Sequence, residues 1–408
     1  MQLIPPISFK LWLVVTALLT TSPFSHAETC RANIPPSNPN SAYTIQDNVT
    51  VTHTPTGLMW IRCAEGQTWT GSTCTGSAKK FSWAQALKQA KTSCFAGHKD
   101  WRLPSVKELH SLVEECRSHP SINAAVFPGT PLDSMSSYFW SSSADSARNA
   151  WVVDFTLGDT SPFQRNDMNI ILRVRLVRGG QPFTSADDTT TPLLNLRLND
   201  TGITEIFSDP LRQDGSTGRD SLAAAGKLTK TGGGSKGFDF TKIANDGSVL
   251  PDSAALGTGA KDWACTRDNV TGLMWEVKTT EGLRSQNHTY TWNLECRGTS
   301  SRGGTCFTSG RCETEKYAQD VNATGLCGAS NWRMPHIKEL EGIVHYGRSD
   351  PAIDSMYFPN TLSNSSFWSG TPNATSTSNA WAVGFGLGST YGNSQQGSIS
   401  VRLVSGGR

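Results

Sequence analysis

The chain repeats itself, and this repetition constrains its fold more than any other feature. Five short blocks occur twice in the same order, and the distance between the two copies of a block lies between 215 and 231 residues (271 − 56 and 332 − 101). Because a fixed order with variable spacing is typical of a duplicated unit with loop insertions, we predict two tandem domains, at 28–180 and 261–408. The blocks are TGLMW at 56–60 and 271–275, WRLP or WRMP at 101–104 and 332–335, FWS at 139–141 and 367–369, AW at 150–151 and 380–381, and VRLV at 174–177 and 401–404.

The composition excludes several fold classes and one class of binding partner. Charged residues make up only 17% of the chain, which also has 38 Gly, and this composition argues against coiled coils and helical bundles. The 13 Trp argue against disorder, because disordered chains are poor in aromatic residues. A net charge of +2 provides no overall field to attract nucleic acid, so no nucleic-acid partner is expected.

The N-terminus indicates export. Lys10 precedes an apolar run at 11–20, and Ser25 and Ala27 stand at the −3 and −1 positions of a cleavage site. This pattern predicts a signal peptide at 1–27, cleaved after Ala27. The alternative, a membrane anchor, is disfavoured because the run is well short of the ~20 residues that cross a bilayer. We therefore expect no membrane span after cleavage, and a periplasmic, cell-surface or extracellular location in a bacterium of the Gram-negative type.

Ten cysteines fit an exported chain. None forms a CxxC pair, so disulfides are favoured over structural zinc. The short spacings predict the bridges Cys63–Cys74 and Cys306–Cys312. Five cysteines fall in each half, which leaves either a bridge between the halves or two free thiols.

Each repeat combines two helical segments with short strands that follow them. The segments 82–91 and 105–115 have helical spacing, and Ser105 with Glu108 forms a capping-box signature. β-forming stretches at 150–155 and 173–177 lie between turn-forming residues. The predicted fold class is α+β with antiparallel strands. Between the repeats, 181–260 is predicted to be a linker and an irregular extension packed on the second repeat.

Taken together, the repeated blocks resemble the Lcl-type C-terminal domain, named after the Legionella collagen-like adhesin. The resemblance covers about 45–180 and 260–408, together with the NDTG stretch at 199–202 and the stretch 237–240. It implies two domains of the C-type lectin-like fold and a role in adhesion, which in this family includes the binding of sulfated glycosaminoglycans. The chain lacks the collagen-like stalk of the adhesin, so multivalent display through a stalk is not implied.

Candidate ligand contacts are few. Five tryptophan pairs recur in the two repeats, and recurrence beside divergent loops favours core packing. Trp69 and Trp263 have no counterpart and are therefore predicted to be exposed contacts. Residues 28–180 carry 15 basic and 12 acidic side chains, a net +3, and Arg165, Arg173 and Arg178 form a local basic run there. These three arginines are the predicted site for a sulfated or other anionic glycan.

Catalysis finds little support in the sequence. HExxH and P-loop motifs are absent, so we predict a non-enzymatic protein without a cofactor. No metal site is predicted either, since the acidic residues at 200, 209, 214 and 220 lack EF-hand spacing. Two alternatives stay open: a structural component of the cell envelope that binds an envelope protein, and a metal-dependent enzyme resembling the formylglycine-generating enzyme.

Overall fold

The computed structural model describes residues 29–132, 137–145, 148–179, 198–206, 213–294, 297–298 and 303–407. The predicted signal peptide, Asp209 and Cys296 lie outside these ranges. Within the described ranges, no helix is both long and apolar enough to cross a membrane.

The first repeat has two short helices and two main antiparallel sheets. One sheet has the strand order β1-β2-β3-β9 and the other β6-β7-β8, and β4 pairs with β5. The elements are β1 (Tyr43–Ile45), β2 (Thr50–His53), β3 (Leu58–Ile61), β4 (Thr68–Trp69), β5 (Cys74–Thr75), α1 (Trp83–Thr92), α2 (Val106–His110), β6 (Tyr138–Ala144), β7 (Asn149–Asp154), β8 (Thr160–Gln164) and β9 (Val177–Arg178).

The second repeat follows the same plan. Its main sheets have the orders β10-β11-β12-β20 and β16-β17-β18, and two small pairs, β13-β19 and β14-β15, complete it. The remaining elements of the chain are α3 (Gly218–Ala224), β10 (Phe240–Ala244), β11 (Trp263–Asp268), β12 (Met274–Glu276), β13 (Tyr290–Thr291), β14 (Asn293–Leu294), β15 (Arg297–Gly298), α4 (Thr314–Ala323), α5 (Ile337–Gly342), β16 (Ser366–Pro372), β17 (Asn379–Gly384), β18 (Ser389–Ser394), β19 (Ser398–Ile399) and β20 (Val404–Ser405).

The prediction of helices with antiparallel strands is confirmed, and two details differ. The helix predicted over 105–115 ends at His110, because Asn38 Nδ2 donates to the carbonyls of Ser111 and Val113 and the chain turns there. The stretch 181–260, predicted to be irregular, contains α3 and the edge strand β10 of the second repeat. It also contacts the first repeat, where Ser143 Oγ donates to Asp214 Oδ2 over 2.6 Å.

The ten recurring tryptophans are core residues, as predicted. Each is at most 2% exposed. In three pairs, each tryptophan lies in the separate core of its own repeat. In the other two pairs, both tryptophans lie in a third core that the two repeats share. The first group comprises Trp83/Trp292, Trp101/Trp332 and Trp140/Trp368, and the second Trp60/Trp275 and Trp151/Trp381.

The recurring arginines occupy equivalent places in the two repeats. Arg102 forms a two-pronged ion pair with Glu108, with both N–O distances at 2.6 Å, and Arg333 pairs with Glu339 in the same way at 2.7 Å. Each glutamate also accepts from a backbone N–H at the start of its helix. The pair therefore ties the WRLP or WRMP block to the helix that follows it.

The two repeats pack against each other along an interface that we call the seam, formed by α2, β8, α5 and β18. Thr160 N donates to Thr390 Oγ1 over 3.1 Å, and Thr390 N donates to Thr160 Oγ1 over 2.9 Å. The two threonines stand at equivalent positions in β8 and β18. This exchange, together with the shared core, gives the pair of repeats an approximate two-fold relation.

Four disulfides connect described cysteines. The predicted bridges Cys63–Cys74 and Cys306–Cys312 are confirmed, and Cys30–Cys116 and Cys265–Cys327 join them. Two of the four lie in the first half of the chain and two in the second, so none of them joins the halves, and Cys94 is an exposed thiol. Four disulfides are typical of a protein exported to an oxidising compartment.

A glycine at the seam tests this packing. Gly158 has φ +98°, and a Cβ there would lie 2.9 Å from Val113 Cγ1 and 3.1 Å from a ring carbon of Trp381. Gly57 also has a positive φ, +67°, but open space around it. We expect G158A to lower the free energy of unfolding by about 2–4 kcal/mol and G57A by about 1 kcal/mol, because only the first adds crowding to backbone strain. Urea unfolding measures both, and equal losses would show that the contact across the seam is loose.

Candidate functional site

The predicted basic run is not a surface cluster. Arg173 is only 5% exposed, so its prediction as an exposed ligand contact is wrong. The segment around it lies beside β6, since Trp140 N donates to Arg173 O over 3.0 Å and Arg173 N donates to Tyr138 O over 3.2 Å. Arg175 is buried as well and donates to Ile61 O over 3.1 Å. Side chains alternate between the two faces of this segment, but both faces are covered by other parts of the protein, so neither arginine reaches the surface.

Arg165 and Arg178 are half-buried and have different neighbours. Arg178 Nε lies 2.8 Å from Asp100 Oδ1, so an ion pair already offsets its charge. Arg165 Nη1 donates to the carbonyls of Asp145 and Asn149 over 2.6 and 3.1 Å. These contacts place the two guanidinium groups in separate surroundings, so Arg165, Arg173 and Arg178 do not form one site.

The two unmatched tryptophans differ from each other. Trp69 is half-buried, and the guanidinium carbon of Arg62 lies 4.1 Å from the centroid of its ring. Trp263, predicted to be exposed, is only 4% exposed. It lies in β11, and Lys242 Nζ on the neighbouring strand β10 stands 3.9 Å above its ring. The second prediction is therefore wrong, because β10 pairs with β11 where an irregular segment was expected.

A notch open to solvent lies where the first repeat touches the second. It is small: the centre of a water-sized sphere can move within about 60 Å³ of it, and the notch is continuous with bulk solvent. The N-terminal segment of the first repeat, 31–34, forms one wall, and the ends of β16 and β18 form the other. Its polar lining consists of Arg31, Asn33, Asn373, Thr377 and Gln395, and its apolar lining of Ile34, Trp292 and Pro372.

A disulfide and three contacts hold the wall at 31–34 in place. Cys30 is bonded to Cys116, and Arg31 N donates to Cys116 O over 2.8 Å. Arg31 Nη2 reaches across to the carbonyl of Thr375 in the second repeat, 3.4 Å away. Ile34 packs with Cys116 and with Ala374. The wall is therefore tied to both repeats.

The opposite wall is equally well held. Asn373 Oδ1 accepts from Thr375 N over 2.8 Å, and Gln395 Nε2 donates to Asn379 O over 3.1 Å. Trp292 Nε1 donates to Ser369 O over 2.8 Å, which fixes the indole at the floor, where it is 1% exposed. Arg31 is the one charged residue in this lining, so a bound group meets one positive charge, amide groups and an aromatic edge.

The first repeat has a related surface at Arg165. Gln395 donates to Asn379 O and Arg165 donates to Asn149 O, both over 3.1 Å, from equivalent positions. The Trp83 ring lies 5.8 Å from the Arg165 guanidinium carbon, where the second repeat has Trp292. Arg165, one of the residues predicted from the sequence, thus lies on the surface that corresponds to the notch. The notch itself was not predicted, because it needs a wall from the other repeat. The unassigned Cys30, followed directly by Arg31, was the available signal.

A second cluster, of buried carboxylates, has a structural role. Asp220 accepts from the N–H groups of Gly202 and Gly237 over 2.6 and 2.7 Å, and Asp214 Oδ2 also accepts from Thr201 Oγ1 over 2.7 Å. Burial raises the pKa of Asp214 to about 7, and the Asp200 carboxylate adds to this rise. These bonds join the described residues around Thr201, Asp214 and Asp220 to one another and, through Ser143, to the first repeat.

Among the His, Cys, Asp and Glu side chains of the described ranges, one group has the spacing that a metal ion would need. Cys30, Glu114 and Cys116 are the group whose ligand atoms lie close enough together. Both sulfurs belong to one disulfide, and Glu114 Oε1 and Oε2 accept from the N–H groups of Ser37 and Asn38 over 2.8 and 2.9 Å. This donor set is therefore already committed to the fold.

Comparison with known proteins gives one match. The family described as the Lcl C-terminal domain matches residues 49–178 and 264–405, which together make up about two thirds of the chain. No curated protein and no solved structure matches the chain significantly. Each matched region lies within one repeat and leaves out the edge strand of its sheet, β1 in the first repeat and β10 in the second.

The raised pKa of Asp214 predicts how stability depends on pH. Since the folded pKa, about 7, lies above the ordinary value of 3.8, the folded chain binds a proton that the unfolded chain releases. The stabilisation is complete below about pH 4 and is lost as the pH rises through about 7. We expect D214N to flatten this decline and to raise the free energy of unfolding at pH 8 by about 1–3 kcal/mol. Urea unfolding between pH 4 and pH 8 is the measurement, and an unchanged decline would contradict this role.

Proposed function

Because the chain belongs to the Lcl C-terminal domain family through both of its repeats, we propose that it is an exported, non-enzymatic protein that binds a glycan with an acidic group in the notch. The predicted signal peptide and the four disulfides support export, to the periplasm, the cell surface or the medium. Only the acidic group of one sugar residue would enter the notch, with the rest of the glycan outside it, since the notch is small and opens to solvent on one side.

The lining of the notch carries this proposal. A guanidinium group pairs with a carboxylate or sulfate through parallel N–H bonds. The amide groups of Asn33, Asn373 and Gln395 offer donors and acceptors of the kind that sugar hydroxyls use. The edge of Trp292 gives an apolar floor, and small-molecule sites combine such a floor with a few convergent polar groups.

The same lining argues against catalysis at this place. None of its members is a histidine, carboxylate, cysteine or serine, so the notch itself supplies no general base and no activated nucleophile. Binding is the chemistry that these side chains support.

The proposal predicts which arginine matters. We expect R31Q to weaken the binding of a carboxylated or sulfated oligosaccharide by roughly 5- to 50-fold, because a charge-assisted pair contributes about 1–2 kcal/mol. R178Q is the matched control, since Arg178 is already paired with Asp100. A glycan array selects the probe, and titration calorimetry measures the affinity of each variant. Equal affinities for R31Q and the parent, or a loss confined to R178Q, would contradict this site.

The wall at 31–34 gives a second prediction. In the double variant C30S/C116S the segment that carries Arg31 loses its covalent attachment to the first repeat. We expect weaker binding of the same oligosaccharide, by roughly tenfold, because ordering this segment then costs about 1–2 kcal/mol at the moment of binding. C63S/C74S, which removes a disulfide of the first repeat without touching the lining, is the control. Near-ultraviolet circular dichroism checks that both variants keep their tertiary packing.

A further inference from the structure

His110 and Glu341 face each other across the seam from equivalent positions. Each directly follows a Lys-Glu-Leu triplet, at 107–109 in the first repeat and 338–340 in the second. They stand at the ends of α2 and α5, with side chains 0% and 4% exposed. His110 and Glu341 are therefore equivalent residues of the two repeats. The two-fold relation brings them into contact although their side chains differ.

Both nitrogens of the His110 ring point at acceptors. Nδ1 lies 2.5 Å from Glu341 Oε2, and Nε2 lies 3.1 Å from the backbone carbonyl of Gly158. A carbonyl only accepts, so Nε2 must carry a hydrogen. Nδ1 then meets a carboxylate at 2.5 Å, and without a second proton two lone pairs would face each other there. Glu341 Oε1 is already engaged, because it accepts from Tyr346 Oη over 2.7 Å.

We propose that one proton held between His110 Nδ1 and Glu341 Oε2 is a structural part of the seam and makes the association of the two repeats sensitive to pH. With the proton present, the imidazolium donates to Glu341 and to Gly158 O, and every polar atom of the contact is paired. When the proton leaves to solvent, the neutral ring faces the carboxylate with a lone pair, and the contact becomes repulsive. The seam then loosens as the pH rises.

The surrounding charges do not replace this proton. Lys107 Nζ is committed to the carbonyls of Asp200 and Gly342, at 2.8 and 2.9 Å, and Lys338 Nζ to Val113 O at 2.8 Å. The ionisable groups that face the pair come from α2, α5, the segments that flank these helices and the β7–β8 turn. They are Lys107, Glu115, Asp159, His336, Lys338 and Tyr346. This set contains two lysines, one histidine and two carboxylates, so the charges of the lysines and the carboxylates cancel. No net positive charge therefore holds the Glu341 carboxylate against the Nδ1 lone pair of a neutral His110.

The test uses E341Q in the full chain. A glutamine amide donates to the lone pair of neutral Nδ1 while its oxygen still accepts from Tyr346, so the contact is satisfied without a shared proton. We expect the folding equilibrium constant of the parent to fall by up to about tenfold per pH unit above about pH 6.5, where an unfolded histidine is neutral, and that of E341Q to fall less steeply. H98Q is the control, since His98 is a half-buried histidine beside Trp101 in the first repeat and away from the seam, so that this variant should keep the slope of the parent.

Two measurements decide the matter. Urea unfolding between pH 6 and pH 9 gives the slopes, and equal slopes for the parent and E341Q overturn the proposal. Independently, ¹⁵N spectra of the histidine-labelled parent report the state of His110 even if E341Q fails to fold. Two protonated ring nitrogens at pH 7 support the shared proton. A neutral ring with an unprotonated Nδ1 overturns it.

Discussion

Thr160 and Thr390 exchange two hydrogen bonds across the seam, and this exchange brings the edge strands β8 and β18 together. The rest of the arrangement depends on that approach. It closes the shared core around Trp60, Trp151 and their partners, and it lets the segment after Cys30 reach the second repeat. The notch follows from the same approach, because its two walls come from different repeats. A single repeat would contain neither the notch nor the proton site.

The features that sequence predicted are those that each repeat builds on its own. The WRLP and WRMP blocks recur because Arg102 and Arg333 each pair with a glutamate in the first turn of the next helix. The tryptophans recur because each fills a core that the other repeat duplicates. The helices α1, α2, α4 and α5 and the antiparallel strands follow from the same local patterns. The surroundings of these residues come from their own repeat. Their recurrence in the second repeat is therefore enough to predict their structural role.

Features that depend on two distant segments could not be predicted in this way. Charge counting identified Arg173 without showing that the segment beside β6 buries it. Composition described 181–260 as loop-rich, although Phe240–Ala244 completes the sheet of the second repeat. In the candidate site, Arg31 had no counterpart and no motif, and its position depends on the Cys30–Cys116 bridge. The pattern within a repeat reports local burial. Pairing between cysteines far apart in the sequence and packing between the repeats leave no such pattern.

Tandem duplication explains how the seam holds unlike residues at like positions. In a dimer of identical chains, the position of His110 and Glu341 would bring together two histidines or two glutamates. Two imidazolium ions repel each other in a buried contact, and two carboxylates must share a proton or separate. Covalent linkage lets the repeats diverge, so that one supplies the acid and the other the base. The same divergence gives Arg165 in one repeat and Gln395 in the other at corresponding places. Duplication followed by divergence thus turns one symmetric interface into two different surfaces, and the ligand proposed for the notch meets only one of them.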